Sequence, residues 1–441
     1  SFDIFIISST ISSLFSPARK PIRLIPVSLA IFIFLNIPIS ISLGLSSALT
    51  LIVTGSPLGV IPSMMQATVQ KFSLLTIPLF VLAGVLMDKG GISKRLINLA
   101  DSMMGPIHGG LGYVAVICAL FFAAISGSGT ATVAAMGSIL IPAMIKQGYD
   151  AGFSSALSAI SGSLGTVIPP SITFIIYGMI TGESISDLFL AGIIPGITFA
   201  LILCLTVFYY SKKNGWKGDK PRASKKEILK AFGGALPGFL SPVIVLGGIY
   251  SGIFTPTEAA AVAVVYSFIV GKFIYKELDF ASFKETLFST AKTTGIILLI
   301  IMNAGIFSWV LTQQGIASRL TEIAIGLTDN KYLMLLIINF VFLLAGCVMD
   351  NTSALYILVP IIMPIAKALG IDMIHLGVVL VLNLSIGQVT PPVGPNLYVA
   401  ADIGKVKFEE ICRKMVPLLL MSMAALLIIT FVPWLTTCLI K

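Results

Sequence analysis

Apolar stretches follow one another along the whole chain, separated by short breaks that contain polar residues, glycine or proline. A helical stretch of about 20 apolar residues matches the thickness of the hydrocarbon core of a bilayer. A transmembrane β-barrel would instead show segments of about ten residues with alternating hydrophobicity, and the chain lacks that alternation. The pattern therefore predicts an all-α polytopic membrane protein.

Two of the polar breaks recur at a constant offset of 222 residues. Ser126–Thr130 corresponds to a break that ends at Thr352, and Gly165–Pro170 corresponds to Gly387–Pro392. The same ungapped shift aligns further identical residues: Ile139 with Ile361, Pro142 with Pro364, Gly148 with Gly370, Asp150 with Asp372, Ser163 with Ser385 and Gly182 with Gly404. Repeated segments interrupted by glycine and proline point to the binding site of a transporter.

The offset divides the chain into two repeats joined by a basic segment, residues 211–231. The first repeat, residues 1–210, is predicted to hold scaffold helices within 21–87, a hairpin at 112–146, a broken helix at 151–180 and a helix at 188–210. The second repeat, residues 232–441, is predicted to hold scaffold helices within 236–311, a hairpin at 332–369, a broken helix at 373–402 and a helix at 415–440. Each arm of the first hairpin has about 14 apolar residues, about 20 Å of helix, so the hairpin is predicted to be re-entrant. An odd number of crossings in the first repeat inverts the second.

Charge sets the predicted orientation. Charged residues make up 11% of the chain, about half of their usual share in a soluble domain. The net charge is +9, and the basic segment and its flanks contribute much of it, with Lys212, Lys213, Lys217, Lys220, Arg222, Lys225, Lys226 and Lys230 against Asp219 and Glu227. Loops rich in lysine and arginine stay in the cytoplasm. This places residues 211–231 in the cytoplasm and both termini in the periplasm of a bacterial inner membrane.

The basic residues near the N-terminus oppose this orientation, since Arg19, Lys20 and Arg23 fall on the outer side. The repeat is the stronger signal. No basic region opens the chain, so no cleavable signal peptide is expected. The basic segment carries a single tryptophan, Trp216, whereas nucleic-acid binding needs a folded basic face with stacking aromatic residues; no nucleic-acid partner is predicted.

The four breaks carry the candidate chemistry. Unpaired backbone groups at membrane depth are tolerated where they face protein, water or a ligand. Freed carbonyls suit Na⁺, and helix N-termini suit a carboxylate. The hairpin tips add hydroxyl and amide groups: Ser126, Ser128, Thr130, Asn351, Thr352 and Ser353. Strong acids, bases and metal ligands are lacking in this set, which indicates binding without covalent chemistry and argues against an enzyme.

Three further residue sets were weighed. Asp350 at the second tip could ligate Na⁺, carry a proton or brace the hairpin. The histidines His108 and His375 lie at segment ends without a partner pattern, and the five cysteines show no pair spacing. They indicate neither a metal site nor disulfides. No Walker A motif is present, which argues against ATP hydrolysis.

Several stretches together resemble the large membrane subunit (DctM type, including the sialic acid type) of tripartite ATP-independent periplasmic (TRAP) transporters. They begin at Asn36, Leu82, Ala124, Gly165, Thr255, Met349 and Thr390 and read Asn-Ile-Pro-Ile-Ser, Leu-Ala-Gly-Val-Leu-Met-Asp-Lys-Gly-Gly-Ile, Ala-Ile-Ser-Gly-Ser-Gly-Thr-Ala-Thr, Gly-Thr-Val-Ile-Pro-Pro-Ser, Thr-Pro-Thr-Glu-Ala, Met-Asp-Asn-Thr and Thr-Pro-Pro-Val-Gly. The resemblance extends over the chain from about Pro21 onward. The hairpin tips also resemble those of divalent-anion/sodium symporters.

The resemblance implies an elevator-type transporter. The two hairpins and two broken helices would form a transport domain that slides against a scaffold, made of the remaining crossings and a separate small membrane subunit. A periplasmic substrate-binding protein would deliver an organic acid of the sialic acid or C4-dicarboxylate class. Uptake would be driven by Na⁺, with at least two Na⁺ sites and no organic cofactor.

Site residues follow from the resemblance and from the internal repeat. The first Na⁺ site maps onto Ser126, Ser128, Gly165, Ile168 and Pro170. The second maps onto Asp350, Asn351, Thr352, Gly387, Thr390 and Pro392. The substrate would lie between the tips, near Thr130, Ser171, Ser353, Gln388 and Asn396.

Three other functions remain as alternatives. A direct sodium/organic-anion symporter would need no binding protein. A channel fits less well, because paired hairpins around one midplane site suit alternating access. An intramembrane enzyme would need a nucleophile, paired acids or a metal cluster at membrane depth, and the sequence shows none of these.

Overall fold

The computed structural model describes residues 20–104, 107–216 and 223–440. Within these ranges the chain forms helices and no β-strand. Nine of the helices described are long and apolar enough to span a bilayer. The predicted all-α polytopic fold is confirmed. The N-terminal Arg19, the expected start without a signal peptide, and Lys217, Asp219, Lys220 and Arg222 of the basic segment lie outside the described residues.

The helices of the first half begin with five shorter elements. They are α1 (Lys20–Phe34), α2 (Ile39–Thr54), α3 (Val60–Val69), α4 (Thr76–Lys89) and α5 (Ile92–Met104). The first hairpin is formed by α6 (Gly110–Ser126) and α7 (Gly129–Lys146), the first broken helix by α8 (Ala151–Gly162) and α9 (Ile172–Thr181), and α10 spans Ile185–Asn214. Short 3₁₀ turns occupy Phe72–Leu75 and Ser163–Thr166.

The second half follows the same order. Its scaffold helices are α11 (Lys225–Tyr250), α12 (Pro256–Ile269), α13 (Phe280–Gln313) and α14 (Ile316–Leu327). The second hairpin is formed by α15 (Lys331–Val348) and α16 (Asn351–Ala368), and the second broken helix by α17 (Met373–Gly387) and α18 (Pro395–Gly404). The chain continues with α19 (Phe408–Phe431) and a short α20 (Trp434–Thr437).

The internal repeat is visible in the helix bounds. The bounds of α16 equal those of α7 shifted by 222 residues, and α17 begins 222 residues after α8. Asp150 and Asp372 cap these two helices by accepting from backbone N–H groups, of Phe153 at 2.8 Å and His375 at 2.9 Å. Both proline pairs, at 169–170 and 391–392, contain a cis peptide bond. Residues that fix local backbone geometry therefore occupy equivalent places in the two halves.

Several helices continue beyond their apolar stretches. α10 extends to Asn214 and α11 starts at Lys225, so both helices enter the predicted basic loop, residues 211–231. Ser224 forms a reciprocal capping box with Glu227 at the start of α11. The difference arises because hydropathy stops at the membrane surface, whereas a capped helix continues into water. The short helix α3, at residues 60–69, was not predicted.

The helices form two packed groups. One group, here the core, contains the hairpins, the broken helices, α10, α19 and α20; the other, the scaffold, contains α1–α5 and α11–α14. α19 lies against α8, where Lys414 forms an ion pair with Asp150 at 3.1 Å. The structure therefore differs from the expectation that all remaining crossings belong to the scaffold, because α10 and α19 bury their apolar faces against the broken helices.

The two hairpins contact the scaffold differently. In the second hairpin the returning arm, α16, packs against α13 and α14. In the first hairpin the entering arm, α6, packs against α4 and α5, and α7 makes few scaffold contacts. A cavity lies between α7 and the scaffold helices α4, α5 and α13. The repeats thus share their internal geometry but not their position against the scaffold.

Candidate functional site

The first hairpin tip is a tight loop that directs hydroxyl groups towards its own backbone. Gly127 adopts a positive φ of 61°, a conformation that glycine adopts without strain. The Ser128 carbonyl accepts hydrogen bonds from the Thr132 hydroxyl at 2.8 Å and the Ser126 hydroxyl at 3.2 Å. The Ser126 and Thr132 hydroxyls lie 2.9 Å apart. Oxygen atoms are therefore concentrated at the tip, as a Na⁺ site requires.

The first broken helix lies directly against this tip. A Cβ atom built on Gly127 would come within 2.8 Å of the Pro170 carbonyl oxygen, and one built on Gly165 within 2.6 Å of the Ser128 carbonyl oxygen. Only glycine permits backbone approach this close. The structure thus brings together Ser126, Ser128, Gly165 and Pro170 of the first predicted Na⁺ site. Ile168 is buried beside them and contacts Gly196 of α10.

The second hairpin meets the second broken helix through glycine as well. A Cβ atom on Gly387 would lie 2.6 Å from the Gly346 Cα. The Cys347 carbonyl accepts a hydrogen bond from the Val393 backbone at 3.3 Å. The Thr390 hydroxyl donates to the Ile386 carbonyl at 2.8 Å. These contacts place the second tip, which begins after Val348, beside the second cis-proline break; Thr352 is partly buried there and Pro392 is exposed.

Asp350 braces the second hairpin tip. Its carboxylate accepts from the Ser353 backbone N–H at 3.0 Å and from the Ser353 hydroxyl at 2.6 Å, which caps the N-terminus of α16. Of the three roles weighed for Asp350, this geometry gives direct support to the brace. The Ser353 hydroxyl is fully buried and engaged in the same cap.

The neighbouring Asn351 is different, because its side chain is 6% exposed and neither amide atom has a hydrogen-bond partner among the described residues. Burying an amide without partners costs about 1–3 kcal/mol. A coordinated cation or an ordered water would remove that cost. Asn351 is therefore the residue at the second tip that most needs a ligand.

The predicted substrate residues divide into two sets. The Gln388 amide oxygen lies 2.5 Å from a Cβ atom built on Gly129, next to Thr130. Asn396 donates to the Ser163 hydroxyl at 3.2 Å and to Gln388 at 3.4 Å. Residues of the second broken helix thus reach the first tip. Ser171 instead is fully buried, and its hydroxyl donates to the Thr166 carbonyl at 2.5 Å.

The cavity beside the first tip has a volume of about 270 Å³. Ser126 and Ser128 line it from the core, and Asp88, Ser93 and Thr293 line it from the scaffold. A second cavity of about 520 Å³ shares Asp88 and Ser93 and continues past Lys89, Lys94 and Glu277. An aqueous route therefore leads from the end of α4 to the first tip.

Sequence reasoning missed several residues at this site. Thr132 lies one helical turn after the tip, a spacing that could have revealed it. The Thr166 and Ser385 hydroxyls form a short hydrogen bond that joins the two broken helices, and Ser385 had been noted as a repeat match of Ser163. Asp88 and Ser93 come from a distant part of the sequence, so no local pattern could have placed them in the cavity.

Solved structures with the same fold are transporters. The chain superposes on the Alcanivorax borkumensis YdaH transporter with a TM-score of 0.63 and 14% identity, covering 86% of this chain and 88% of that chain. For Neisseria gonorrhoeae MtrF the TM-score is 0.57 at 14% identity, covering 84% and 82%. At this identity the similarity shows the fold alone.

Sequence relatives are named as permeases. The isethionate TRAP transporter permease protein DctMQ of Oleidesulfovibrio alaskensis is 42% identical over 92% of this chain, which spans 64% of that relative's length. The C4-dicarboxylate TRAP transporter large permease protein DctM of Rhodobacter capsulatus is 39% identical, covering 90% of this chain and 94% of its own length. The sialic acid TRAP transporter large permease protein SiaM of Vibrio cholerae is 36% identical, covering 92% and 95%.

The family model for the DctM component of tripartite ATP-independent periplasmic transporters matches residues 27–435. This match and the permease relatives confirm the resemblance seen in the sequence, and with it a membrane transport protein rather than an enzyme. The chain belongs to the DctM family of tripartite ATP-independent periplasmic transporters.

Proposed function

We propose that this protein is a Na⁺-driven permease for a small organic acid. The relatives named above are permeases for isethionate, C4-dicarboxylates and sialic acid, so a carboxylate or sulfonate is the substrate class. A periplasmic binding protein would deliver the acid, and a separate small membrane subunit would complete the scaffold. That the DctMQ relative is longer than this chain fits a partner that is fused there and separate here.

The observation that carries the proposal is the meeting of each hairpin tip with a cis-proline break. Carbonyl and hydroxyl oxygens of Ser126, Ser128, Gly165, Ile168 and Pro170 would coordinate one Na⁺, which is cotransported rather than resident. The orphaned amide of Asn351, with oxygens from Asp350, Thr352, Gly387, Thr390 and Pro392, would coordinate a second. The substrate would lie near Thr130, Gln388 and Asn396, with Ser171 and Ser353 as supports of the tip geometry.

An elevator mechanism fits the unequal contacts of the two hairpins. The second hairpin is closed against the scaffold helices α13 and α14, whereas the first tip is reached by the cavities near Asp88. With residues 211–231 in the cytoplasm, this arrangement is an inward-facing state. A sliding core would exchange the two situations and expose the second tip to the periplasm.

Uptake in proteoliposomes tests this function. The chain is reconstituted with its small subunit, with and without the binding protein, and radiolabelled succinate, isethionate and sialic acid are offered under an inward Na⁺ gradient. Accumulation is expected to need both Na⁺ and the binding protein. Accumulation with Na⁺ alone would establish a direct symporter instead, and accumulation without Na⁺ would overturn the coupling.

A further inference from the structure

A single lysine connects the scaffold to the core at the opposite end of the molecule from the first hairpin cavity. Lys71 directly precedes the candidate span Phe72–Lys89, and Asp88 lies at the other end of that span. The Lys71 ammonium group donates to the Met179 carbonyl of α9 at 3.3 Å. Lys71 belongs to the scaffold and Met179 to the core, so this bond crosses the boundary along which the core would slide.

The same bond separates two cavities. One, of about 620 Å³, is lined by Lys71 and Met179 together with Ser73, Glu183 and Ser186. The other, of about 310 Å³, is lined by the same two residues and by Thr68, Trp309 and Tyr356. Tyr356 belongs to α16 of the second hairpin. The two cavities therefore mark a path from the surface towards the second hairpin, with Lys71 at its constriction.

Charge gives this position a chemical preference. Among the described residues that line the two cavities, Lys71 carries the positive charge and Glu183 the negative charge. The Lys71 side chain is exposed, and its partner is an uncharged carbonyl. A carboxylate or sulfonate accepts a shorter and stronger hydrogen bond from an ammonium group than a carbonyl does. An arriving anion can therefore displace Met179 from Lys71.

We propose that Lys71 captures the anionic group of the substrate at the constriction between these cavities, on the side through which substrate enters. The inference rests on the transport function and the membrane orientation proposed above, which place Lys71 on the periplasmic side. On binding the anion, Lys71 releases Met179, so that substrate capture also frees one contact between scaffold and core. The chemical class of ligand is an organic carboxylate or sulfonate.

The test measures how apparent KM for uptake depends on ionic strength. It uses the full chain with its small subunit and saturating binding protein, and succinate or isethionate as the probe, whichever the wild type accumulates. Lys71→Gln is expected to raise KM about threefold for a monoanion and about tenfold for a dianion, because the Coulomb energy scales with charge. Salt should raise KM of the wild type but change that of Lys71→Gln much less.

Two variants serve as controls. Lys71→Arg keeps the charge and should restore the wild-type KM and its salt dependence. Lys367→Gln removes an exposed lysine at the end of the second hairpin, on the same predicted side of the membrane and outside both cavity linings. It should behave as the wild type, which separates Lys71 from the general surface charge that guides the binding protein.

Three results would overturn the assignment. These are an unchanged KM in Lys71→Gln, an equal shift in Lys367→Gln, or a change in kcat alone, which would make Lys71 a latch without a role in capture. Wild-type protein without Na⁺-dependent uptake would instead overturn the proposed function, so the two failures are distinguishable.

Discussion

Individual residues decide the chemistry of the two tips, and equivalent positions carry different groups. The first tip has small hydroxyl residues and glycine, whereas the second has Asp350 and Asn351 at the positions of Ser128 and Gly129. Asp350 is used to cap α16, and Asn351 is buried without a partner. The two proposed Na⁺ sites should therefore differ in affinity, although the repeat makes their backbones alike.

Replacing Asn351 by alanine tests the second site. The change removes one Na⁺ ligand, so the Na⁺ concentration for half-maximal uptake should rise about tenfold, the equivalent of about 1.4 kcal/mol. Because the amide lacks a protein partner, thermal stability without Na⁺ should not fall. Asn339→Ala is the matched control: Asn339 donates to Thr430 at 3.0 Å, so this variant should lose stability with little change in Na⁺ dependence. Unchanged Na⁺ dependence in Asn351→Ala would contradict the assignment.

A second residue-scale prediction concerns Asp350 and Thr352. Asp350→Ala and Thr352→Ala are both expected to reduce Na⁺-driven uptake while sparing expression. The Asp350 effect should arise from loss of the cap, so Asp350→Ser, which retains a capping oxygen, should recover part of the activity. Wild-type uptake in both alanine variants would defeat the role given to this tip.

At the scale of elements, glycine contacts and helix caps hold hairpins and broken helices together. Gly387 touches Gly346 across the second hairpin, and Gly165 touches Ser128 across the first. The caps at Asp150 and Asp372 define where each broken helix starts. Equivalent elements are thus joined by equivalent devices, which explains why a single offset describes both halves.

Gly387→Ala should separate the second hairpin from its broken helix. The added methyl group would lie 2.6 Å from backbone carbon of Gly346, which cannot move without displacing α15. Uptake should fall more than tenfold, an effect of about 1.4 kcal/mol or more. Gly247→Ala in α11 is the control, because a Cβ there meets nothing within 4 Å. Uptake in Gly387→Ala equal to that control would show that the contact is dispensable.

The cap at Asp150 makes a measurable prediction about stability. Asp150→Ala should lower the free energy of unfolding by about 1 kcal/mol, the usual effect of losing an N-cap. Asp150→Asn keeps the cap and loses only the ion pair with Lys414. Both side chains of that pair are partly exposed, so this second loss should be smaller. Thermal unfolding of the two variants in detergent separates the effects; equal losses would assign the stability to the ion pair.

At the scale of the whole molecule, the cavities place access to the two hairpins at opposite ends of the membrane. The route past Asp88 reaches the first tip, whereas the cavities at Lys71 stop at the arm of the second hairpin. The core is therefore open at one end and closed at the other. This is the arrangement that alternating access requires in one of its states.

Accessibility to a membrane-impermeant maleimide tests this arrangement after the five native cysteines are replaced. Cysteine at Ala131, which lines both cavities of the first hairpin, should react from the cytoplasmic side. Cysteine at Ser186, which lines the cavity at Lys71, should react from the periplasmic side. Na⁺ with loaded binding protein should slow the reaction at position 131 as the core moves. Reaction of both positions from one side would reject the proposed orientation.

The sequence by itself determined the helical class, the two repeats and the positions of the four breaks. These features depend on local chemistry: proline removes a donor, glycine permits close approach or a positive φ, and aspartate caps a helix, wherever the chain later packs. Local signals at Ser126–Thr130 and Gly387–Pro392 were therefore sufficient to find both tips and both breaks.

Only the tertiary structure decided which groups are buried and which elements pack together. It showed that Asn351 lacks a partner, that Gln388 and Asn396 reach the first tip, and that α10 and α19 pack with the core. It also placed Lys71 opposite Met179, more than 100 residues away in the chain. Such contacts join residues distant in sequence, and their geometry depends on how the two repeats pack against each other, which no local pattern records.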